Sequence, residues 1–216
     1  MPHYFDSKPE VRHQICEINV RLRGRDFSFL TDRGVFSRQR LDFGTELLIN
    51  TVCDQERTPS GRLLDLGCGY GPVGIIMKRL FPALDVEQCD INERALELAR
   101  QNAKLNKVNY NKVILSDGMA SVAGQFDLIM TNPPIRAGKT VVQRFFAEAA
   151  ARLQPGGRLY VVIQKKQGAP SALKRLQQLF TNAAVIEHKA GYWIIRACDA
   201  RSLDEIEPAW IAENDL

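Results

Sequence analysis

The sequence predicts an α/β fold: a doubly wound, seven-stranded, mostly parallel sheet of Rossmann-like form that ends in an antiparallel strand pair and is preceded by a β-hairpin. Three observations carry this. From Arg62 onward, short apolar runs alternate with amphipathic helical stretches, the pattern of a parallel sheet covered on both faces. The last two strand-like runs are separated only by Lys189-Ala190-Gly191-Tyr192, too short a link for a parallel crossover. Near the start, Ile18, Val20 and Leu22 alternate with polar residues, and Phe27 and Phe29 do the same after Arg23-Gly24-Arg25-Asp26. That is period-two patterning about a glycine turn, a hairpin.

The elements follow in order. Residues 1–40 form the hairpin extension, with a second turn at Asp32-Arg33-Gly34 leading to Val35-Phe36-Ser37; residues 41–216 form the main domain. Asp42 caps a helix that runs to about Cys53, with Phe43, Leu47 and Leu48 turned inward. A loop over 54–61, with Pro59, leads into the sheet. Strands fall at 62–66, 85–89, 112–115, 126–130 and 158–163, and helices at 72–80, 92–105 and 140–153. Pro72 suits a first helical turn. Val142, Phe145, Phe146, Ala149 and Leu153 share one helical face. Gln154-Pro155-Gly156-Gly157 stops that helix. A helix over 171–180 precedes the closing strands at 184–188 and 193–197.

Composition narrows the function. With 45% hydrophobic and 25% charged residues, the 216-residue chain can bury a core, which excludes overall disorder. No apolar run approaches ~18 residues, so a helical membrane span is excluded. The first residues lack the basic-then-apolar pattern of a secretion signal, which predicts a cytoplasmic protein. Five scattered cysteines without a Cys-x-x-Cys pair, and three dispersed histidines, predict reduced thiols and no metal site. The charge is segregated: residues 133–180 hold nine basic residues and one acid, Glu148, whereas six acids face Arg201 from Asp199 to the end. A basic face of this kind suits phosphate.

Two motifs carry chemistry. Leu63-Leu64-Asp65-Leu66-Gly67-Cys68-Gly69-Tyr70-Gly71 reads as a buried strand entering a glycine loop and then a helix, where backbone N–H groups can approach a ligand closely. Gly67, Gly69 and Gly71 supply that approach, and Asp65 can accept hydrogen bonds from the loop or, through water, from a ligand ammonium. Asp90, with Ile91, closes the second strand where ribose hydroxyls would lie. Asp117-Gly118-Met119 follows the third strand. Gly69 to Gly74 also fits Gly-x-Gly-x-x-Gly, and Asp90 stands where a nicotinamide-binding domain wants its acid. Asp65 before the glycines, Asp117 after the third strand and Asn132-Pro133-Pro134 after the fourth favour S-adenosylmethionine (SAM) instead. Nothing resembles a hydride-transfer site.

The second motif is Asn132-Pro133-Pro134-Ile135. An exocyclic amine is a poor nucleophile because its lone pair is delocalised into the ring. An amide oxygen from Asn132 and the Pro133 carbonyl can accept its two N–H hydrogens and aim the lone pair, while Pro133 and Pro134 fix the loop. No strong base is required, since the proton can leave after transfer.

Together with Gly34-Val35-Phe36-Ser37, Leu41-Asp42-Phe43-Gly44 and Arg136-Ala137-Gly138-Lys139, these motifs resemble the class I SAM-dependent methyltransferases, and within them the small-domain enzymes related to the guanine-N2 methyltransferases of small-subunit ribosomal RNA. The resemblance spans nearly the whole chain. It implies SAM as cofactor, held by Asp65, Gly67, Gly69, Gly71, Asp90, Ile91, Asp117, Gly118, Met119 and Asn132. Asp117 would meet the adenine amine, with the following residues against the ring. Catalysis would rest on Asn132, Pro133 and Pro134, and the partner would be RNA, a ribosomal RNA or small ribosomal subunit. Many amine methyltransferases carry an aromatic residue after Asn-Pro-Pro to stack on a flipped base; here Ile135 takes that place and would meet the substrate. Larger relatives carry a second, degenerate domain that helps bind RNA and that 216 residues do not hold. RNA contacts would therefore fall to Arg23 and Arg25 on the hairpin and to Arg136, Lys139, Arg144, Lys165 and Lys166. Other planar acceptors (DNA adenine, a glutamine amide, a small molecule) and a SAM- or RNA-binding module without turnover are the alternatives.

Overall fold

The structure, a computed structural model, describes residues 14–32, 40–109 and 112–202. Most of the turn expected at Asp32-Arg33-Gly34 (Arg33 and Gly34), the stretch Gly34-Val35-Phe36-Ser37 and most of the acidic tail lie outside the described residues.

Strands β1 (Cys16–Leu22) and β2 (Arg25–Thr31) form the antiparallel hairpin, with Cys16 opposite Thr31 and Leu22 opposite Arg25. The main sheet contains β3 (Gly61–Leu66), β4 (Leu84–Asp90), β5 (Lys112–Leu115), β6 (Phe126–Thr131), β7 (Leu153–Gln164), β8 (Phe180–Lys189) and β9 (Tyr192–Ala200), in the order β5-β4-β3-β6-β7-β9-β8. Strands β3 to β7 pair in parallel, and β9 runs antiparallel between β7 and β8. The chain leaves the centre at β3, moves outward to β5, and returns to the other side of β3 as β6. This reversal opens a crevice at the carboxyl ends of β3 and β6, the place where open α/β sheets bind ligands.

Helices α1 (Phe43–Gln55), α2 (Pro72–Leu80) and α3 (Glu93–Leu105) cover one face of the sheet, and α4 (Lys139–Arg152) and α5 (Ala169–Leu179) cover the other. Strand alternation builds both cores at once: Leu63, Leu128 and Tyr160 point to the first, while their neighbours Leu64, Ile129 and Leu159 point to the second. The hairpin joins the first core through Ile18, Leu22, Phe27 and Phe29.

A side-chain mimic of a strand also fastens the hairpin. Asn102 on α3 accepts from the Leu30 N–H (2.6 Å) and donates to the Leu30 carbonyl (2.9 Å). One turn later Asn106 accepts from the Ser28 N–H (3.2 Å) and donates to the Ser28 carbonyl (2.6 Å). Four helical residues rise about 6 Å and two strand residues about 6.6 Å, so an i, i+4 asparagine pair matches alternate residues of an edge strand. Asn102 also donates to the Tyr70 carbonyl (2.9 Å), tying the hairpin to the glycine loop.

Two local expectations are corrected. Phe43 is not turned inward but 37% exposed. The buried stripe of α1 runs through Thr45, Leu48, Ile49 and Val52, and Phe43 precedes Thr45 by two residues, about 200° of helix rotation. Gln154-Pro155-Gly156-Gly157 does end α4, at Arg152, but the stretch belongs to β7, which starts at Leu153. There Leu153 pairs with Phe126 and Arg158 with Leu128, so the proline and glycines bulge out of the ladder.

Candidate active site at the carboxyl edge

The glycine loop bridges β3 and α2. Gly67, Gly69 and Gly71 have φ of 72°, 57° and 88°, a region that side chains with a Cβ avoid. Gly71 is the N-cap of α2 with Pro72 behind it, and a Cβ there would stand 3.1 Å from that of Ala99. The neighbouring strand holds the loop: Gly67 and Cys68 donate their N–H groups to the Cys89 carbonyl (2.9 and 3.0 Å), and Gly69 donates to Asp90 Oδ2 (2.8 Å).

Of the two roles open to Asp65, the hydrogen bonds to the loop are seen, both at Oδ2. It is buried and accepts from the Gly74 N–H (3.0 Å) and from Gln88 Nε2 (2.8 Å), which also donates to the Gly71 carbonyl (3.2 Å). Burial pushes its carboxyl up to about 7, against the pull of the Gln88 and Gly74 hydrogen bonds. Asp65 thus braces the start of α2. Burial likewise drives the Cys68 and Cys89 thiols up, which keeps them protonated and unreactive.

Asp90 ends β4 with 5% exposure; besides Gly69 it accepts from the Asn92 N–H (2.9 Å). A carboxylate offers about four acceptor positions, so bracing the loop is compatible with receiving ribose hydroxyls. Ile91 beside it is half-buried. After β5, Asp117 is 55% exposed and paired through both oxygens with Arg144 of α4. That pairing lowers its pKa. The turn at Gly118 has φ of 57°, and Glu148 of α4 accepts the Met119 N–H (2.8 Å) and occupies the space of a Gly118 Cβ. Met119 is buried in the second core.

The acceptor side begins at Thr131, whose hydroxyl donates to the Leu66 carbonyl (2.8 Å) and locks the ends of β6 and β3 together. The Asn132 amide is held from the other end of the chain: its Nδ2 donates to Asp42 Oδ2 (3.1 Å) and Thr45 Oγ1 (3.0 Å). A carboxylate only accepts, so the NH₂ group must face Asp42, and the Asn132 oxygen is left for another donor. Asp42 also caps α1 by accepting from the Thr45 N–H (3.0 Å). Pro133 is buried, and its carbonyl accepts from the Ile135 N–H (2.9 Å); a carbonyl's second lone pair remains for a further donor. Pro134 caps the short 3₁₀ turn Ile135–Ala137. The sequence reading gives Asp42 as a cap and as part of Leu41-Asp42-Phe43-Gly44 but assigns it no role at the site and passes over Thr45; the spacing Asp42-x-x-Thr45 at a helix start is the available signal.

The basic residues separate into two groups. Arg136 and Lys139 are exposed beside the Asn-Pro-Pro loop, and Lys165 and Lys166 are exposed in the 3₁₀ turn Lys165–Gln167 after β7, at the same edge. Arg23 and Arg25 are not brought to this site. Arg23 donates to Asp54 at the end of α1 (2.6 Å), and Arg25 to the Arg79 carbonyl at the end of α2. Both helices run from the carboxyl edge to the amino edge, so the hairpin turn lies at the far end of the sheet. Arg144, expected to meet RNA, is committed to Asp117 and Glu148.

Residues 26–196 match the family described as the methyltransferase small domain. The chain belongs to that family. It is a SAM-dependent methyltransferase. The cradle fits this cofactor, since the positive-φ glycines keep the loop open and Asp90 presents a carboxylate at the crevice. Among curated relatives, the uncharacterized protein YbxB of Bacillus subtilis is 45% identical over 197 residues, covering 90% of this chain and 97% of that protein. Ribosomal RNA small subunit methyltransferase C of Hahella chejuensis is 42% identical over 136 residues, covering 61% of this chain and 39% of that one. Among solved structures, the Thermus thermophilus 16S rRNA N2 G1207 methyltransferase, in complex with AdoMet and guanosine, superposes with a TM-score of 0.78 at 25% identity, covering 88% of this chain and 52% of that one. This family member therefore spans under half of the Hahella enzyme and about half of the Thermus one. Among the described residues no helix is long and apolar enough to cross a membrane, and no group of three or more His, Cys, Asp or Glu side chains could hold a metal ion.

Proposed function

We propose that this methyltransferase acts on the exocyclic amine of a nucleobase in structured RNA, with guanine N2 of small-subunit ribosomal RNA as the first substrate to test. The observation that carries the reading is the Asn132 amide, whose NH₂ group is taken by Asp42 and Thr45 and whose oxygen is thereby presented at the sheet's carboxyl edge. The activities for which the Hahella and Thermus relatives are named, and the guanosine in the Thermus complex, support the same substrate class.

When bound, SAM supplies an electrophilic methyl group. The chain's contribution is positioning. Asn132 and the Pro133 carbonyl accept the two amine hydrogens, which draws the nitrogen lone pair out of conjugation and directs it at the methyl carbon. The developing positive charge on nitrogen strengthens both bonds in the transition state. Asp90 and the glycine loop hold the donor, while Arg136, Lys139, Lys165 and Lys166 offer phosphate contacts around the crevice.

The deciding experiment is methyl transfer from labelled SAM to small ribosomal subunits taken from cells lacking the gene, followed by nucleoside mapping. Label in N2-methylguanosine is the expected result. Label in protein, or in another nucleoside, would replace the acceptor and keep the amine-holding geometry. Binding to the RNA should weaken steeply with salt, as contacts to phosphate require.

A further inference from the structure

The residue after Asn-Pro-Pro does not provide a stacking surface: Ile135 is partly buried and packs against the second hydrophobic core. An aromatic surface occurs instead on the other side of Asn132. The first turn of α1 presents Asp42 and Thr45 to Asn132, and between them stand Phe43 and Gly44. Phe43 is the one aromatic among the exposed large hydrophobic side chains of the described residues. Its ring lies 5.5 Å from that of Tyr192, tilted by 52°. Tyr192 opens β9 opposite Gln164, the last residue of β7, which brings it to the carboxyl edge. It rests over Gly44, where a Cβ would come within 2.9 Å of Tyr192 Cε1. The adjacent Gly191 carbonyl accepts the Lys165 N–H (2.7 Å), which ties the turn carrying the exposed Lys165 and Lys166 to the start of β9.

We infer that Phe43 and Tyr192 form the platform on which the acceptor nucleobase stacks while Asn132 holds its amine. This rests on the acceptor reading above and deepens it by naming the base-binding surface. One helical turn is about 5.4 Å tall, so a residue of that turn can reach both the amide and the rings of a single base. A flipped base needs an aromatic or apolar face to replace the stacking it leaves; the exposed ring of Phe43, backed by the half-buried ring of Tyr192, supplies that face, and the cations at the same edge supply phosphate contacts. Phe43 packs on Tyr192 with part of its surface, and its position opposite the buried stripe of α1 leaves the rest open to a ligand.

The test uses the full chain with Phe43→Leu, which keeps an apolar side chain, Tyr192→Leu, and Phe43→Trp as the restoring variant. Two readouts are taken: kcat/KM for methylation of the undermethylated small subunit, and saturation transfer by NMR from the protein to the base protons of guanosine 5′-monophosphate. Either leucine variant should lower kcat/KM and nucleotide affinity by roughly tenfold or more, the scale of one lost base–aromatic stack. Phe43→Trp should restore both, and SAM affinity should stay unchanged throughout. If the wild-type enzyme methylates RNA and Phe43→Leu matches it in both readouts, the platform is overturned and the acceptor reading stands. If the wild type methylates no RNA, the acceptor reading fails; nucleotide contact that is lost in Phe43→Leu then still supports a nucleobase site here, and contact insensitive to Phe43 overturns it.

Discussion

The two sides of the crevice are built differently. On the cofactor side the bonds between the glycine loop and β4 join residues at most 23 positions apart: Asp65 holds Gly74, Asp90 holds Gly69 and Asn92, and Gln88 spans back to Asp65 and Gly71. On the acceptor side Asn132 is oriented by Asp42 and Thr45, residues 90 and 87 positions earlier. The aromatic pair beside it joins the start of α1 to the start of β9. The consecutive elements β3, α2 and β4 shape most of the donor site, whereas the Asn132 side is complete only once α1 docks on the finished sheet. Donor binding and acceptor alignment should therefore fail separately.

The largest expected effect is on chemistry alone. Asn132→Ala should lower the single-turnover methyl-transfer rate by ~10²-fold or more, as loss of a preorganised polar partner does, with SAM affinity little changed. Transfer at the wild-type rate would reduce the Asn-Pro-Pro loop to a structural element. The converse is Asp90→Ala, which should weaken SAM binding by ~1–3 kcal/mol, partly through release of the Gly69 N–H, and leave RNA affinity intact. Calorimetric titration with SAM measures it, and an unchanged affinity would remove Asp90 from the donor site.

Smaller effects sharpen the contrast. Asp42→Ala should cost ~0.5–2 kcal/mol of stability as a lost cap and slow methyl transfer as well. Asp42→Ser should recover the thermal midpoint without recovering the rate, because the shorter side chain caps α1 but does not reach Asn132. Thr45→Val should slow transfer several-fold less than Asn132→Ala does, since one of two anchors remains. If Asp42→Ser restores both quantities, the contact between Asp42 and Asn132 has no catalytic consequence.

The smallest effect is a slope. Asp65 keeps its proton in the folded state up to about 7, whereas an unfolded aspartate releases it near ~3.9. Between those values the native state binds more protons than the unfolded chain, so this group makes stability fall as pH rises toward 7 and adds no further slope above it. Urea titrations across that window should show the decline in wild type and a flatter profile in Asp65→Asn. An equal slope in both would place the titration elsewhere.

The sheet, its closing antiparallel strand, the hairpin and the glycine loop were all legible in sequence because each depends on local periodicity or turn chemistry. Alternation marks a strand, and the run Gly67 to Gly71 marks backbone that only glycine adopts easily. Residue identity also singled out Asp65, Asp90 and Asn132, since carboxylates and an amide at strand ends have few other uses. Tertiary structure alone decided what each does. It set Asp65 as a brace of α2, paired Asp117 with Arg144, sent Arg23 and Arg25 to the far edge, and packed Ile135 partly against the second core while leaving Phe43 exposed. It also gave Asn102 and Asn106 the task of imitating a strand. The reason is the range of the forces involved. Periodicity and turn preference act over a few residues and are written consecutively, but a side chain's partner is fixed by how helices land on a sheet, a distance that the sequence order of Asp42 and Asn132 does not contain.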